Sequence, residues 1–177
     1  IVVLGGENAI SEQVIAAAAA AAGPAPARVR RIGGATRYET AALVAEEVEI
    51  PSGGQVIIVS GELPADAVSI SAYAGAHSIP ILLARAAELP TETAGFRSGR
   101  EVKWQSTTII GGVNAISDVV AAGLPKPSRI AGANRHATNV AVLEQLYPAG
   151  GVYYVANGDA YPDCLTAGAR AAKDSGA

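Results

Sequence analysis

What most restricts this chain is a signature that occurs twice. Arg31-Ile32-Gly33-Gly34-Ala35-Thr36-Arg37-Tyr38-Glu39-Thr40 returns 98 residues later as Arg129-Ile130-Ala131-Gly132-Ala133-Asn134-Arg135-His136-Ala137-Thr138. Other features recur in step. Leu4-Gly5-Gly6-Glu7-Asn8-Ala9-Ile10-Ser11 reappears as Ile110-Gly111-Gly112-Val113-Asn114-Ala115-Ile116-Ser117, and residues 61–66 reappear as 158–163. Self-similarity at a fixed period means supersecondary cassettes that bury their apolar faces on one another. In repeat phase, residues 1–30 are the end of one copy, 31–128 a complete copy, and 129–177 the start of the next.

Within a copy, short apolar runs alternate with helical stretches. Ile1-Val2-Val3-Leu4, Val56-Ile57-Ile58-Val59, Pro80-Ile81-Leu82-Leu83 and Thr107-Thr108-Ile109-Ile110 read as buried strands. Residues 28–34 add a strand and turn, and 152–156 restate the Val56 strand. Ser11 caps a helix over about 12–22, whose alanine tract predicts a thin, closely packed element. Gly23-Pro24 stops it, and 24–27 read as a linker. Thr36 caps a helix over about 37–49, with Tyr38, Ala41, Ala45 and Val48 on its core stripe and Leu43 on the wet side. Residues 51–54 are a loop, and helices follow near 64–77 and 91–98. Residues 102–104 carry no clear pattern. Strands alternating with helices of this length imply an α/β fold, with parallel sheets flanked by helices and built from tandem repeats of about 98 residues.

Composition narrows the function. The net charge of −3 and the absence of a basic run argue against nucleic acid. The longest apolar block, 14–22, is too short to span a bilayer. Cys164 is the single cysteine, so no disulfide forms within the chain, and no Cys/His spacing suits a metal. Cys164 reads as core, and His77 and His136 as neither metal ligands nor triad members. Cofactors are not expected.

The charged residues in the motifs carry the candidate chemistry. Arg37 and Arg135 have two readings: a guanidinium forked onto a phosphate or carboxylate, or a structural pair, Arg37 with Asp66 and Arg135 with Asp163. Arg31 and Arg129 start strands and suit either role. Asp66 and Asp163 fall in the first turns of helices, where the dipole stabilises a carboxylate by roughly 0.3–1 kcal/mol. No second carboxylate recurs at acid–base spacing. Gly5-Gly6 and Gly111-Gly112 sit where a phosphate could rest on helix N–H groups, yet neither G-x-G-x-x-G nor a P-loop is present. Tight turning accounts for them.

Taken together, R-I-x-G-x-x-R-[YH]-x-T, a strand, G-[ED]-x-x-x-D, P-I-L-L and I-[IL]-G-G-x-x-A-I-S resemble the bacterial and archaeal cell wall binding repeat 2 family, over nearly all of the chain. The resemblance implies a Rossmann-like fold per repeat. It also implies three copies in a pseudo-threefold arrangement and export to the cell surface. There the module holds a protein noncovalently on an anionic wall polysaccharide or teichoic-acid-like polymer, and other repeats of the same protein are its partners. It implies no enzyme activity in these residues, and it ties Pro80, Ile81, Leu82 and Leu83 to wall binding. The candidate ligand contacts are those four with Arg31, Arg37, Arg129, Arg135, Asp66 and Asp163, placed in grooves between repeats. The chain departs from the pattern at His136 and Ala137, which replace Tyr38 and Glu39. The aromatic-Pro-Asp kept as Tyr161-Pro162-Asp163 is Pro64-Ala65-Asp66 in the first copy. The other readings are a sugar-nucleotide or small-molecule binder and a structural surface-layer module.

Overall fold

A computed structural model of the chain describes residues 1–23, 28–50, 54–98, 104–174 and 176. The expected linker at 24–27, most of the loop at 51–54, and residues 102 and 103 lie outside the described residues. The elements run β1 (Val2–Leu4), α1 (Glu12–Ala21), β2 (Arg30–Ile32), α2 (Arg37–Glu46), β3 (Gln55–Ser60), α3 (Pro64–Ala76), β4 (Ile81–Ala84), α4 (Thr91–Ser98), β5 (Ser106–Ile110), α5 (Asp118–Ala122), β6 (Pro127–Ile130), α6 (Arg135–Leu146) and α7 (Tyr161–Lys173). Two parallel sheets form: β1-β2, and a four-stranded sheet in the order β4-β3-β5-β6. None of the helices among the described residues is long and apolar enough to cross a membrane.

The four-stranded sheet is covered on both faces, which explains why β3 is an unbroken apolar run. One face packs Val56, Ile58, Leu82 and Ile109 against Ala42 and Ala45 of α2, Phe96 of α4 and Val120 of α5. The other packs Ile57, Val59, Ile110 and Ile130 against Ile70 and Ala74 of α3 and Val142 of α6. Trp104 is buried in the first face, and its indole N–H donates to the Ser106 carbonyl and the Thr107 hydroxyl.

The duplication is structural as well as textual. Leu4 pairs with Ile32 as Ile110 pairs with Ile130. Gly5 and Gly111 have φ of 113° and 114°. In each copy the residue three past the second glycine donates back to it: Ala9 to the Gly6 carbonyl and Ala115 to the Gly112 carbonyl, both at 3.0 Å. A positive φ here turns the chain from strand to helix without a Cβ clash.

Several expectations fail. Residues 152–156 form no strand, and Val155 is 96% exposed where its counterpart Ile58 is fully buried. β3 is held by β4 and β5, whereas residues 152–156 pair with no strand among the described residues. A strand with no ladder on either side has nothing to fix it. Helix α2 ends at Glu46 and buries Tyr38, Ala42 and Ala45, with Ala41, Leu43 and Val48 half-buried. Helix α1 is capped by Ser11 as expected but buries only Ile15, leaving most of its alanines exposed. Cys164 is half-buried rather than core.

Candidate functional site

Each signature residue has a defined contact, and nearly every contact appears in both copies. The side chain of Arg31 reaches back into the preceding cassette. Its guanidinium donates to the carbonyls of Gly5 and Ile10, both at 2.8 Å, and to Glu12 at 2.7 Å. Arg129 does the same with Gly111 at 2.7 Å, Ile116 at 2.9 Å and Asp118 at 3.2 Å. Both side chains are about four-fifths buried. The planar fork suits this task because it satisfies two main-chain carbonyls of one turn at once.

The next residues build the helix start. Thr36 and Asn134 accept from the third residue of their helices, Glu39 and Ala137, satisfying an otherwise unpaired N–H. Gly34 and Gly132 donate to the hydroxyls of Thr40 and Thr138, each at 3.0 Å. A Cβ on either glycine would overlap Glu39 or the α6 backbone at Ala137.

Arg37 and Arg135 reach forward instead. Arg37 donates to the Gly61 carbonyl at 2.7 Å. Arg135 uses one nitrogen, Nη1, for the equivalent Gly158 carbonyl at 3.3 Å, the Tyr161 hydroxyl at 3.0 Å and Asp159 at 3.4 Å. The expected partners Asp66 for Arg37 and Asp163 for Arg135 are therefore not taken: Asp163 is exposed, and Asp159 stands in its place. The ring after each arginine lies over the same glycine, Tyr38 on Gly61 and His136 on Gly158. Tyr38 is buried, with the Arg85 guanidinium 4.8 Å from its ring centre, whereas His136 is exposed.

These groups collect at the carboxyl ends of the parallel strands. The order β4-β3-β5-β6 reverses direction between β3 and β5, and such a switch point opens a crevice where α/β sheets hold ligands. Asp66, in the first turn of α3, occupies it. Its carboxylate rests against the Gly111 turn at the end of β5, and the residue is 8% exposed. Among the described residues no donor hydrogen-bonds it. Burial raises its pKa, opposed by the positive charge of Arg135. The charge that faces Asp66 therefore belongs to the other copy.

A carboxyl whose folded pKa is raised binds more protons folded than unfolded, so its contribution to stability falls as pH rises through that window. Asp66→Asn is expected to gain about 1 kcal/mol at pH 7. The gain should shrink as pH drops through the raised pKa and vanish near the ordinary aspartate value of 3.8. Urea melts at intervals between pH 3.5 and 7 measure it; a constant difference across the range would refute the assignment.

Beside the switch point lies a cleft of about 210 Å³ between the copies. Ala65, Val68, Ser69 and Ala72 of α3 form one wall; α6, α7 and residues 154–158 form the other, with Arg135, His136, Asn139, Tyr154 and Tyr161 lining it. The helices α3 and α7 meet closely there because the facing residues are small: a Cβ on Gly168 would overlap the Ser71 hydroxyl, and one on Gly75 would lie 2.9 Å from the Ala172 methyl.

A family model described as cell wall binding domain 2 (CWB2) matches residues 31–121 and 129–177. The chain belongs to that family. It is 34% identical over 145 residues to the N-acetylmuramoyl-L-alanine amidase LytC of Bacillus subtilis, and 30% identical over 148 residues to the amidase enhancer of the same organism. Each match covers 82% of the chain but only 28% and 19% of those proteins. Among solved structures it is similar to Cwp6 of Clostridium difficile, with a TM-score of 0.87 and 29% identity over 99% of the chain and 28% of Cwp6. Cwp8 of the same organism follows, with a TM-score of 0.75 and 26% identity over 98% of the chain and 30% of Cwp8. CWB2 membership places the chain at the cell wall, on the outer surface of the cell.

Of the stretch Pro80 to Leu83, the last three residues lie in edge strand β4 and Pro80 immediately precedes it. Pro80 and Leu82 are buried; Ile81 and Leu83 are half-buried against the α3 side. Sequence reasoning missed the roles of Gly61, Gly158, Asp159 and Asn139. Gly61 and Gly158 recur at the period, and that recurrence was a usable signal. The acid beside each glycine recurs as well, Glu62 matching Asp159; only Asn139 gave no such signal, since its counterpart in the first copy is Ala41.

Proposed function

We propose that these residues form a non-catalytic anchoring module that binds an anionic cell-wall polymer noncovalently, with contacts at the junctions between repeats. In this reading 1–30, 31–128 and 129–177 are successive phases of one repeat, and further copies extend the array to three around a pseudo-threefold axis. The observation that carries it is the state of the arginines. Arg31 and Arg129 spend their donors on main-chain carbonyls and act as clamps. Arg37 and Arg135 are exposed, and each engages the protein through a single nitrogen, which leaves further donors available; Arg135 does so while lining the cleft between the copies. A repetitive polyanion that touches one such arginine per repeat gains avidity from the others. The net charge of −3 disfavours indiscriminate adsorption.

Sedimentation with purified wall, before and after its anionic polymer is stripped, tests the reading. Binding should be lost on the stripped wall and should weaken with salt, because exposed charges are screened within about 8 Å at physiological ionic strength. Arg37→Gln and Arg135→Gln should each reduce retention about tenfold, as expected for one charge-assisted hydrogen bond. Equal retention on stripped wall would overturn it.

A further inference from the structure

The cleft between the copies is not chemically duplicated. At the positions where the second copy has His136, Asn139, Tyr154 and Tyr161, the first has Tyr38, Ala41, Ile57 and Pro64. The shared arginine is thus joined in the second copy by polar aromatic and amide groups, and these line one cavity. Two polar groups there are left with capacity. Arg135 makes all of its hydrogen bonds through Nη1, so Nη2 and Nε have none among the described residues. Asn139 is half-buried and its side chain makes no hydrogen bond among the described residues, so its amide offers both a donor and an acceptor. Polar groups held in a partly enclosed site without partners favour a ligand that supplies them.

The lining selects the class of ligand. Tyr154 and Tyr161 offer flat apolar faces with polar edges, which suit the alternating C–H and hydroxyl character of a sugar ring. The tyrosines are also held in place: Tyr161 accepts from Arg135, and Tyr154 donates to Asp174, which pairs with Arg170. A volume near 210 Å³ is below the roughly 300–1,000 Å³ of drug-sized pockets, so one ring fits and an oligosaccharide does not. Arg135 supplies a permanent positive charge to the lining, the one guanidinium among its described residues. Its neighbour Asp159 is exposed and 3.4 Å away, a separation an incoming anion can displace.

We propose that this cleft binds one pyranose unit bearing a phosphate or carboxylate, with the anionic substituent on Arg135, a ring hydroxyl on Asn139 and the ring face on Tyr161. The inference rests on the wall-binding reading and narrows it to a single sugar subsite. A terminal or branching unit of a charged polysaccharide has this chemistry.

Amide NMR titration of the 177-residue chain with glucose 1-phosphate, glucuronic acid and glucose tests it. Saturable shifts are expected for the first two at Ser69, residues 135–139 and residues 158–168, with glucose at least about tenfold weaker. Comparing the two acids shows whether phosphate or carboxylate is preferred. Arg135→Gln should remove the advantage of the charged sugars, while Asn139→Ala should weaken all three. Tyr161→Ala should also weaken all three about tenfold, whereas Tyr161→Phe keeps the ring face and should retain most binding. No saturable shift with any of the three, or shifts that map outside the cleft, would overturn the proposal. Wall sedimentation separates the two failures. If Tyr161→Ala loses no retention on intact wall, the subsite is wrong and anchoring stands; if wild type itself is not retained, anchoring fails regardless of the titration.

Discussion

Leu82→Ala should destabilise the protein by about 2–5 kcal/mol. Leu82 is fully buried in edge strand β4, among Val56, Ile58, Ala84 and the helices α2 and α4. Truncation removes its transfer energy and leaves a cavity that a parallel sheet, pinned by its ladder, cannot close. The residue belongs to the motif that the family resemblance ties to wall binding, so the expectation separates two causes. A Leu82→Ala chain that fails to sediment with wall has lost its fold if chemical denaturation shows the midpoint collapsed. Ile81 and Leu83 point to the opposite face and are half-buried, so alanine there should cost less, about 1–2 kcal/mol. If Leu82→Ala melts within 1 kcal/mol of wild type, the motif is not core, and its part in binding becomes direct.

The parts of the fold legible in the sequence are those with local causes. Ser11 and Thr36 were legible as caps, and each accepts from the N–H of the residue three positions on; Ser117 and Asn134, at the matching places of the next copy, do the same. The double glycines marked two turns with matching φ. The period told which turns would be alike, because the clamp from Arg31 or Arg129 is made within one cassette boundary each time. What failed depended on neighbours. Residues 152–156 carry strand residues, but a strand is a property of its ladder. The alanine tract of α1 fixes helical conformation without fixing what lies against it. In α2, alanines at 41, 42 and 45 left the stripe ambiguous by one position, since methyl groups mark no face. The pairing of Arg37 with Asp66 presumed contacts inside a copy. Asp66 instead feels Arg135, across the junction, and no pattern within one copy encodes that. The same limit hid the cleft: Asn139 and Tyr161 stand 22 positions apart, and only the packing of α6 and α7 beside α3 brings them to one cavity.

Gly111→Ala is the second large effect, and the duplication supplies its control. Gly5 and Gly111 have nearly the same positive φ, a conformation that side chains rarely adopt, so alanine at either carries a similar backbone cost of about 1–3 kcal/mol. Their surroundings differ. A Cβ on Gly5 meets only the Ala9 methyl, at 3.2 Å. A Cβ on Gly111 meets the equivalent methyl of Ala115 at 3.3 Å and also overlaps the Asp66 carboxylate. That carboxylate is buried in the first turn of α3, with the neighbouring strands on one side and α6 on the other, so its retreat disturbs the junction between the copies. Overpacking of this kind costs a further 1–3 kcal/mol or so. Gly111→Ala should therefore destabilise by about 3–5 kcal/mol, with Gly5→Ala nearer the backbone cost alone. Because Asp66 is the obstacle, the double variant Gly111→Ala with Asp66→Ala should recover most of the difference, whereas Gly5→Ala with Asp66→Ala should show simple additivity. Equal destabilisation by the two glycine variants would mean that Asp66 does not rest on the β5 turn. The switch-point crevice would then lack the carboxylate that joins the first copy to the arginine of the second.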